Sequence, residues 1–401
     1  MNVEKKVLIC GGGIAGPACA YWLHKYGYTV VIAEKAEKLR DGGQNIDVKG
    51  PAQQVLERMG LNEAVDAKNT LEQGQQFLDA VGNVVATFPR GAVGALTQDF
   101  EILRGDFAQI LYDSTHEQCE YRFGISVAQL EEKEHCVSVT FSDGATEDFE
   151  FVICAEGINS PTRKMVMAED VHFRYLGAYM SFFMIPRRPH DDHWANIVNG
   201  VGGTFIALRP GNDQKTTVIA TFLKADPSAP RDEIAQKDLL RKALKGRGTV
   251  AERVSAELDT VEDFWFGPMS QVQPSKWSKG RFVLLGDAGY APTPFTGSGT
   301  ALALVGAYVL AGELKQRRDY AAAFSSYERL MRPYVEDTHK KLSPRVIRFI
   351  HVRNRLEVAL AHIVWRVFAH RFTQRLLALR ATRPKKSTAT DFVLPDYSSI
   401  Q

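Results

Sequence analysis

The feature that most constrains this chain is the hexapeptide Gly11-Gly12-Gly13-Ile14-Ala15-Gly16, set between the apolar run Val7 to Cys10 and a helical pattern from about Ile14 to Tyr26. It is a G-x-G-x-x-G turn entered from a strand and left through a helix. Gly27 then stops the helix ahead of a second apolar strand, Thr29 to Ala33. That order is a βαβ unit. In such a unit Gly11 permits the tight turn, Gly13 clears the space a pyrophosphate needs, and Gly16 lets helix and strand approach, with the helix N-terminus facing the phosphate charge. Glu34, at the end of the second strand, can accept hydrogen bonds from both ribose hydroxyls and disfavours a 2′-phosphate. The residues therefore predict a bound FAD or NAD rather than NADP. Three glycines alone also occur in turns that bind nothing; the full order of strand, turn, helix, strand and acid makes the signal specific.

A second stretch, "RFVLLGDAGYAPTPFTGSGT", repeats the theme near residue 290. Asp287 ends a strand beside Gly286 and can hold a ribityl or ribose hydroxyl. Pro292 and Pro294 stiffen the loop, while Gly297 and Gly299 leave backbone amides free to face a flat polar edge. A helix starting near Gly299 or Thr300 then adds partial positive charge where a reduced flavin is negative. The alternative is an ordinary Pro-Gly-rich connection between strand and helix.

Between these stretches, "GPAQQVLERMGL" and "EILRGDFAQILYDS" read as helices, the second entered through Arg104, whose guanidinium can pair with pyrophosphate or ribose oxygens. Turn signals "VGN" and "SDG" predict hairpins, and "GAYMSFFMIP", "GGTFIALRPG" and "KTTVIATFLK" are spaced like neighbouring antiparallel strands. A polar helix is expected over about 231 to 246, and helices again from about 320 to 380. From Thr338 to Lys386 that tail carries thirteen Lys or Arg against one acid, Glu357. A solvated basic face accounts for it; attraction to an anionic membrane surface or a phosphate-bearing cosubstrate is the other reading.

A length of 401 residues with 45% hydrophobic content allows a buried cofactor in one composite domain or two intimate ones. The net charge of +2 argues neither for nucleic acid nor for an acidic partner, and no nucleic-acid partner is expected. Five cysteines without C-x-x-C spacing read as buried thiols in a reducing cytosol. With no signal-like segment, and an apolar stretch near 301 to 312 too short to span a bilayer, a cytoplasmic protein without an integral membrane span is expected. No metal cluster or Ser-His-Asp arrangement stands out, and His190 and His193 read as solvated loop residues.

Taken in order, the glycine turn with Glu34, "EILRGDFAQIL", "FVICAEGINSPTR" and "GDAGYAPTPFTGSG" resemble the four motifs of the group A flavoprotein monooxygenases. Within that group, "GGQNIDVKG", "VGAYVLAGELK" and "LPDY" are similar to the tetracycline-inactivating monooxygenases. The resemblance implies an α/β fold like that of para-hydroxybenzoate hydroxylase: a Rossmann-type FAD-binding domain, an antiparallel-sheet substrate domain and a C-terminal helix. The expected division is 1–172 with 263–320 for FAD, including a strand insertion near 71–98; 173–262 for substrate; and 321–401 as a helical region. FAD is expected on Gly11, Gly13, Gly16, Glu34, Lys35, Arg104, Asp287, Pro294, Gly297 and Gly299. NADPH or NADH and O2 would be cosubstrates, a flavin C4a-hydroperoxide the oxygen donor, and the protein a monomer.

Glu156 stands where the group usually has Asp, Tyr290 where it often has His, and Thr300 where it often has Asn. Expected substrate contacts are Gln44, Tyr179, Phe183, Arg209, Phe222 and Phe295, with Arg209 preferred for an acidic enol or phenolate. Phe349, Ile363, Trp365 and Phe368 of the C-terminal helix would cover a bulky polycycle. The substrate readings are a tetracycline-like polycycle, or a smaller phenol or biosynthetic intermediate; a non-oxygenating flavin or NAD protein is the reading from another class.

Overall fold

The computed structural model describes residues 5–40, 43–92, 101–189, 191, 193–211, 214–317, 319–381 and 392–398. Asp41 and Gly42, the distal end of the 71–98 insertion, His190 and the basic residues 383–386 lie outside them.

The strand Lys6–Cys10 pairs in parallel with Thr29–Glu34 on one side and Val152–Cys154 on the other. Phe282–Leu284 and Glu120–Phe123 extend this parallel sheet, and Ser278–Lys279 adds an antiparallel edge. The unbroken apolar run Val7 to Cys10 follows from burial on both faces. Val7 and Ile9 pack among helices that include Ala15–Lys25 and Gly299–Gln316, while Leu8 and Cys10 pack under a three-stranded meander, Val127–Glu132, Val137–Phe141 and Thr146–Phe149. The "SDG" turn closes the second hairpin of that meander, as its residues predict.

A seven-stranded sheet forms the second layer, in the order Trp265–Pro274, Val171–Pro186, Lys215–Leu223, Thr204–Pro210, Trp194–Gly200, Gly74–Leu78, Val84–Pro89. It is antiparallel except where Trp194–Gly200 meets Gly74–Leu78. The expected division needs correcting in two places. Trp265–Pro274, grouped by sequence with the nucleotide-binding part, is an edge strand of this second sheet, and the hairpin 74–89 is its opposite edge rather than an insertion into the first. Alternation along a strand states which face is buried but not which sheet edge the strand completes. Helices Glu233–Leu244 and Thr249–Glu257 cover one face of the sheet; the second of these was not anticipated.

The chain end returns to the first layer. Tyr397 is buried against Gly312, where a Cβ would come within 2.2 Å of its ring. Its hydroxyl donates to Glu313 at 2.8 Å, and the Pro395 carbonyl accepts from Tyr308 at 2.8 Å and Arg58 at 3.1 Å. The "LPDY" segment is thus a clasp over the long buried helix. Tyr397→Ala removes a buried ring and is expected to cost about 3–5 kcal/mol. A chemical-denaturation midpoint equal to that of the parent would refute the clasp.

Candidate active site

The two layers enclose a cavity of about 850 Å³ between the glycine turn and the face of the seven-stranded sheet opposite the helices Glu233–Leu244 and Thr249–Glu257. Gly11, Gly13, Glu34, Lys35, Arg104, Asp287, Pro294, Gly297 and Gly299 all line it. They come from five separate segments that meet only in the folded chain.

The glycines divide the labour that their spacing implies. Gly11 has φ +112°, and a Cβ there would sit 2.5 Å from the Ala155 carbonyl oxygen. A Cβ on Gly16 would sit 2.0 Å from the Gly11 carbonyl oxygen, so Gly16 acts by close packing and does not itself line the cavity. Gly13 differs: a Cβ would meet only the Arg104 guanidinium, at 3.5 Å. The space before it is open for a ligand. Glu34 is fixed by the Gly12 amide at 2.7 Å and the Ala36 amide at 3.0 Å.

Arg104 opens the helix Arg104–Asp113. Burial lowers its pKa, and Asp287 and Glu34 oppose that shift; burial raises the Asp287 pKa against the pull of Arg104. Around Asp287 the chain forms a short turn of helix, Asp287–Tyr290, and Gly299–Gln316 begins where its residues predict. The connecting loop is held tightly. Thr293 has φ +81°, a left-handed conformation unusual for threonine and more so before a proline. Its buried hydroxyl has no partner among the described residues, and the same is true of Asp47 Oδ1, also at the cavity.

FAD fits this site on three observations: the open cradle at Gly13, the opposite charges of Arg104 and Asp287 that act on each other at the cavity wall, and the two orphaned oxygens of Asp47 and Thr293. The departures from the monooxygenase pattern find local reasons. Glu156, one methylene longer than Asp, accepts from the Thr162 amide at 3.1 Å, the Thr162 hydroxyl at 3.0 Å and the Ser160 hydroxyl. It supports the start of the helix Pro161–Met167, whose N-cap is Ser160, while remaining at the cavity wall. Tyr290 turns into the core, its hydroxyl 2.9 Å from that of Tyr327 and filling the space beside Gly306. Thr300 remains at the cavity.

On the sheet side, strand register sorts the expected substrate contacts. Tyr179 and Phe222 stack on each other with ring centroids 5.7 Å apart, inside the core under helices 233–244 and 249–257, away from the cavity. Phe183 borders the cavity, but its ring packs against Phe264 in that same core. The alternate residues Met180, Phe182 and Met184 face the cavity with Phe205, Ile197 and Ile219. Gln44 and Phe295 also line it.

Arg209 also reaches the wall but is not a free cation. It pairs with Glu72 at 2.9 Å and with Glu101, both carboxylates fully buried. Burial alone would lower its pKa; Glu101 and Glu72 outweigh that and hold it charged. Phe349, Ile363 and Phe368 point outward rather than over the cavity, and Trp365 stacks on Phe77 at 4.2 Å.

Three charged residues were missed as well. Buried Arg163 donates to the Ala288 and Ile158 carbonyls, both at 2.7 Å, and ties the middle motif to the last. Its signal was the helix start "SPTR". Asp47 and Lys49, from "NIDVKG", converge on Gly297: a Cβ there would lie 3.4 Å from Asp47 Oδ2 and 3.2 Å from Lys49 Nζ. Burial pushes the Asp47 carboxyl up to about 6, with Glu101 and Glu72 adding and Arg209 and Lys49 opposing; burial lowers Lys49. The folded chain binds this proton more tightly than the unfolded one, so stability declines as pH rises from the ordinary carboxylate range to about 6, and the penalty persists above it. Asp47→Asn is expected to unfold at higher temperature than the parent at about pH 7.5 and to lose that advantage near pH 4. Equal gaps at both values would contradict the assignment.

Comparison with known proteins adds the chemistry. Residues 4–338 match the family model of the FAD binding domain. A flavin-dependent monooxygenase from an unknown prokaryotic organism is 39% identical over 343 residues, 84% of this chain and 88% of its own. One from Legionella longbeachae serogroup 1 (strain NSW150) is 32% identical over 404 residues, the full length of both. The crystal structure of the tetracycline destructase Tet(55) matches with a TM-score of 0.80 at 32% identity, covering 99% of this chain and 100% of that one.

Proposed function

This chain belongs to the FAD binding domain family and is an FAD-dependent monooxygenase, and from that premise we propose that it oxygenates a tetracycline-like polycyclic enol or phenol at the expense of NADPH or NADH. The observation that carries the proposal is the apolar sheet face of Met180, Phe182, Phe205 and Ile219, opposite the loop 292–299 in one cavity. The full-length likeness to a tetracycline destructase supports the substrate class. When bound, the flavin would supply the redox chemistry by which NAD(P)H, a proton and O2 give an oxygenated carbon and water.

The chain's own residues bind, orient and exclude water. Gly13 and the start of the helix Ala15–Lys25 face the pyrophosphate, with Arg104 as its counter-charge and Glu34 on the adenosine ribose. Asp287 takes a ribityl hydroxyl. Pro294, Gly297 and Gly299 present backbone to the ring edge, and the dipole of the helix Gly299–Gln316 favours negative charge there. Met180, Phe182 and Phe295 hold the substrate's flat face and keep water out. Asp47, poised near neutrality, accepts the proton of the substrate hydroxyl, and Lys49 steadies the resulting anion.

The test is aerobic incubation of the FAD-loaded protein with NADPH and tetracycline, followed by mass spectrometry of the drug. A product heavier by one oxygen atom is expected. Unchanged drug, with turnover stimulated by small phenols instead, would move the substrate class while leaving the monooxygenase in place.

A further inference from the structure

The helix Arg355–Ala369 has two apolar stripes, and only one of them is used. Its inner stripe carries Trp365, stacked on Phe77 and edge-on to Phe88, and Ala369 in the same cluster. This fixes the helix to the hairpin 74–89. The outer stripe is Leu356, Leu360, Ile363, Val364 and Val367, spaced i, i+4, i+7, i+8, i+11 and each between 46% and 70% exposed. On the flanking helices Pro344–Ile350 and Arg371–Ala381, Phe349 is 86% exposed and Phe372 72% exposed. An exposed apolar stripe of this length marks an interaction site.

Charge decides the occupant. Arg345, Arg348, Arg353, Arg355, Arg366, Arg371 and Arg375, on this helix and the segments flanking it, are all exposed. The acid in this stretch, Glu357, is taken up by the Arg353 amide at 2.6 Å and the Asn354 amide group at 3.0 Å. A second copy docked on the same face would set these guanidinium groups against one another. A surface that is apolar beneath and anionic above satisfies both the stripe and the arginines.

We infer that the helices from Pro344 to Ala381 form an interfacial docking surface for an anionic lipid bilayer, on which the enzyme lies without spanning it. No described helix is long and apolar enough to cross a membrane. The mode is therefore peripheral, with Phe349, Ile363 and Phe372 entering the acyl boundary and the arginines meeting lipid phosphates.

The experiment is co-sedimentation of the full-length FAD-loaded protein with vesicles of phosphatidylcholine alone or with about 30% phosphatidylglycerol. Binding to the anionic vesicles at least about 10-fold tighter than to the neutral ones is expected, weakening as salt rises from about 50 to about 500 mM. The triple variant Phe349→Ser/Ile363→Ser/Phe372→Ser, all exposed positions, should lose about 10-fold or more in vesicle affinity while retaining FAD and thermal midpoint. Equal partitioning onto neutral and anionic vesicles, or none onto either, would overturn the proposal. So would a concentration-dependent dimer that the same triple variant abolishes.

Discussion

The Gly13→Ala protein is expected to fold as the parent does and to lose FAD. The added methyl meets nothing closer than the Arg104 guanidinium at 3.5 Å, so the stability of the flavin-free form should change by no more than about 0.5 kcal/mol. The same methyl occupies the space in which a pyrophosphate would approach the backbone. A loss of about 100-fold in FAD affinity, near 2.7 kcal/mol, is expected from titration of the apoprotein followed by flavin fluorescence. Gly16→Ala should behave differently. Its methyl would lie 2.0 Å from the Gly11 carbonyl oxygen, a backbone atom that cannot yield without moving the turn. Overpacking of that kind costs about 1–3 kcal/mol or more, so Gly16→Ala should lower the melting temperature even without cofactor. If Gly13→Ala bound FAD as tightly as the parent, the cradle would have been assigned to the wrong glycine.

The second large effect lies beneath the substrate face. Arg209→Met should destabilise the protein by about 3–5 kcal/mol, because it leaves Glu72 and Glu101 buried without their shared cation. Glu101 keeps hydrogen bonds from Asn45 at 2.9 Å and Thr70 at 2.6 Å, but neither carries charge. The triple variant Arg209→Met/Glu72→Gln/Glu101→Gln removes all three charges and should recover much of the loss. Urea denaturation of the two proteins gives the comparison. A single variant as stable as the parent would show that Arg209 is available to a ligand rather than committed to its carboxylates.

Arg209 also illustrates where sequence reading ran short. A lone arginine in an apolar strand is conspicuous, and a substrate anion is the natural partner to imagine for it. Its partners, Glu72 and Glu101, lie more than a hundred residues away, and nothing local announces them. Tyr179 and Phe222 failed for a simpler reason. Adjacent residues of a strand face opposite ways, and a register error of one exchanges the cavity for the core. Met180 and Phe182 were one position away from the residues chosen.

What the sequence determined by itself was the glycine turn, the acid that follows it, and the last loop with its helix. These are local devices: strand, turn and helix cues lie within about thirty residues, and backbone sterics leave few alternatives. The opening βαβ unit, the hairpin turns and the start of the helix Gly299–Gln316 follow from the same short-range physics. Only the tertiary structure decided that the hairpin 74–89 and the strand Trp265–Pro274 complete the second sheet, that Asp47 and Lys49 meet Gly297, and that one stripe of the helix Arg355–Ala369 faces outward. Each of these depends on which distant backbone edge or side chain fills the remaining space, and burial energy rewards any apolar neighbour about equally until packing selects one.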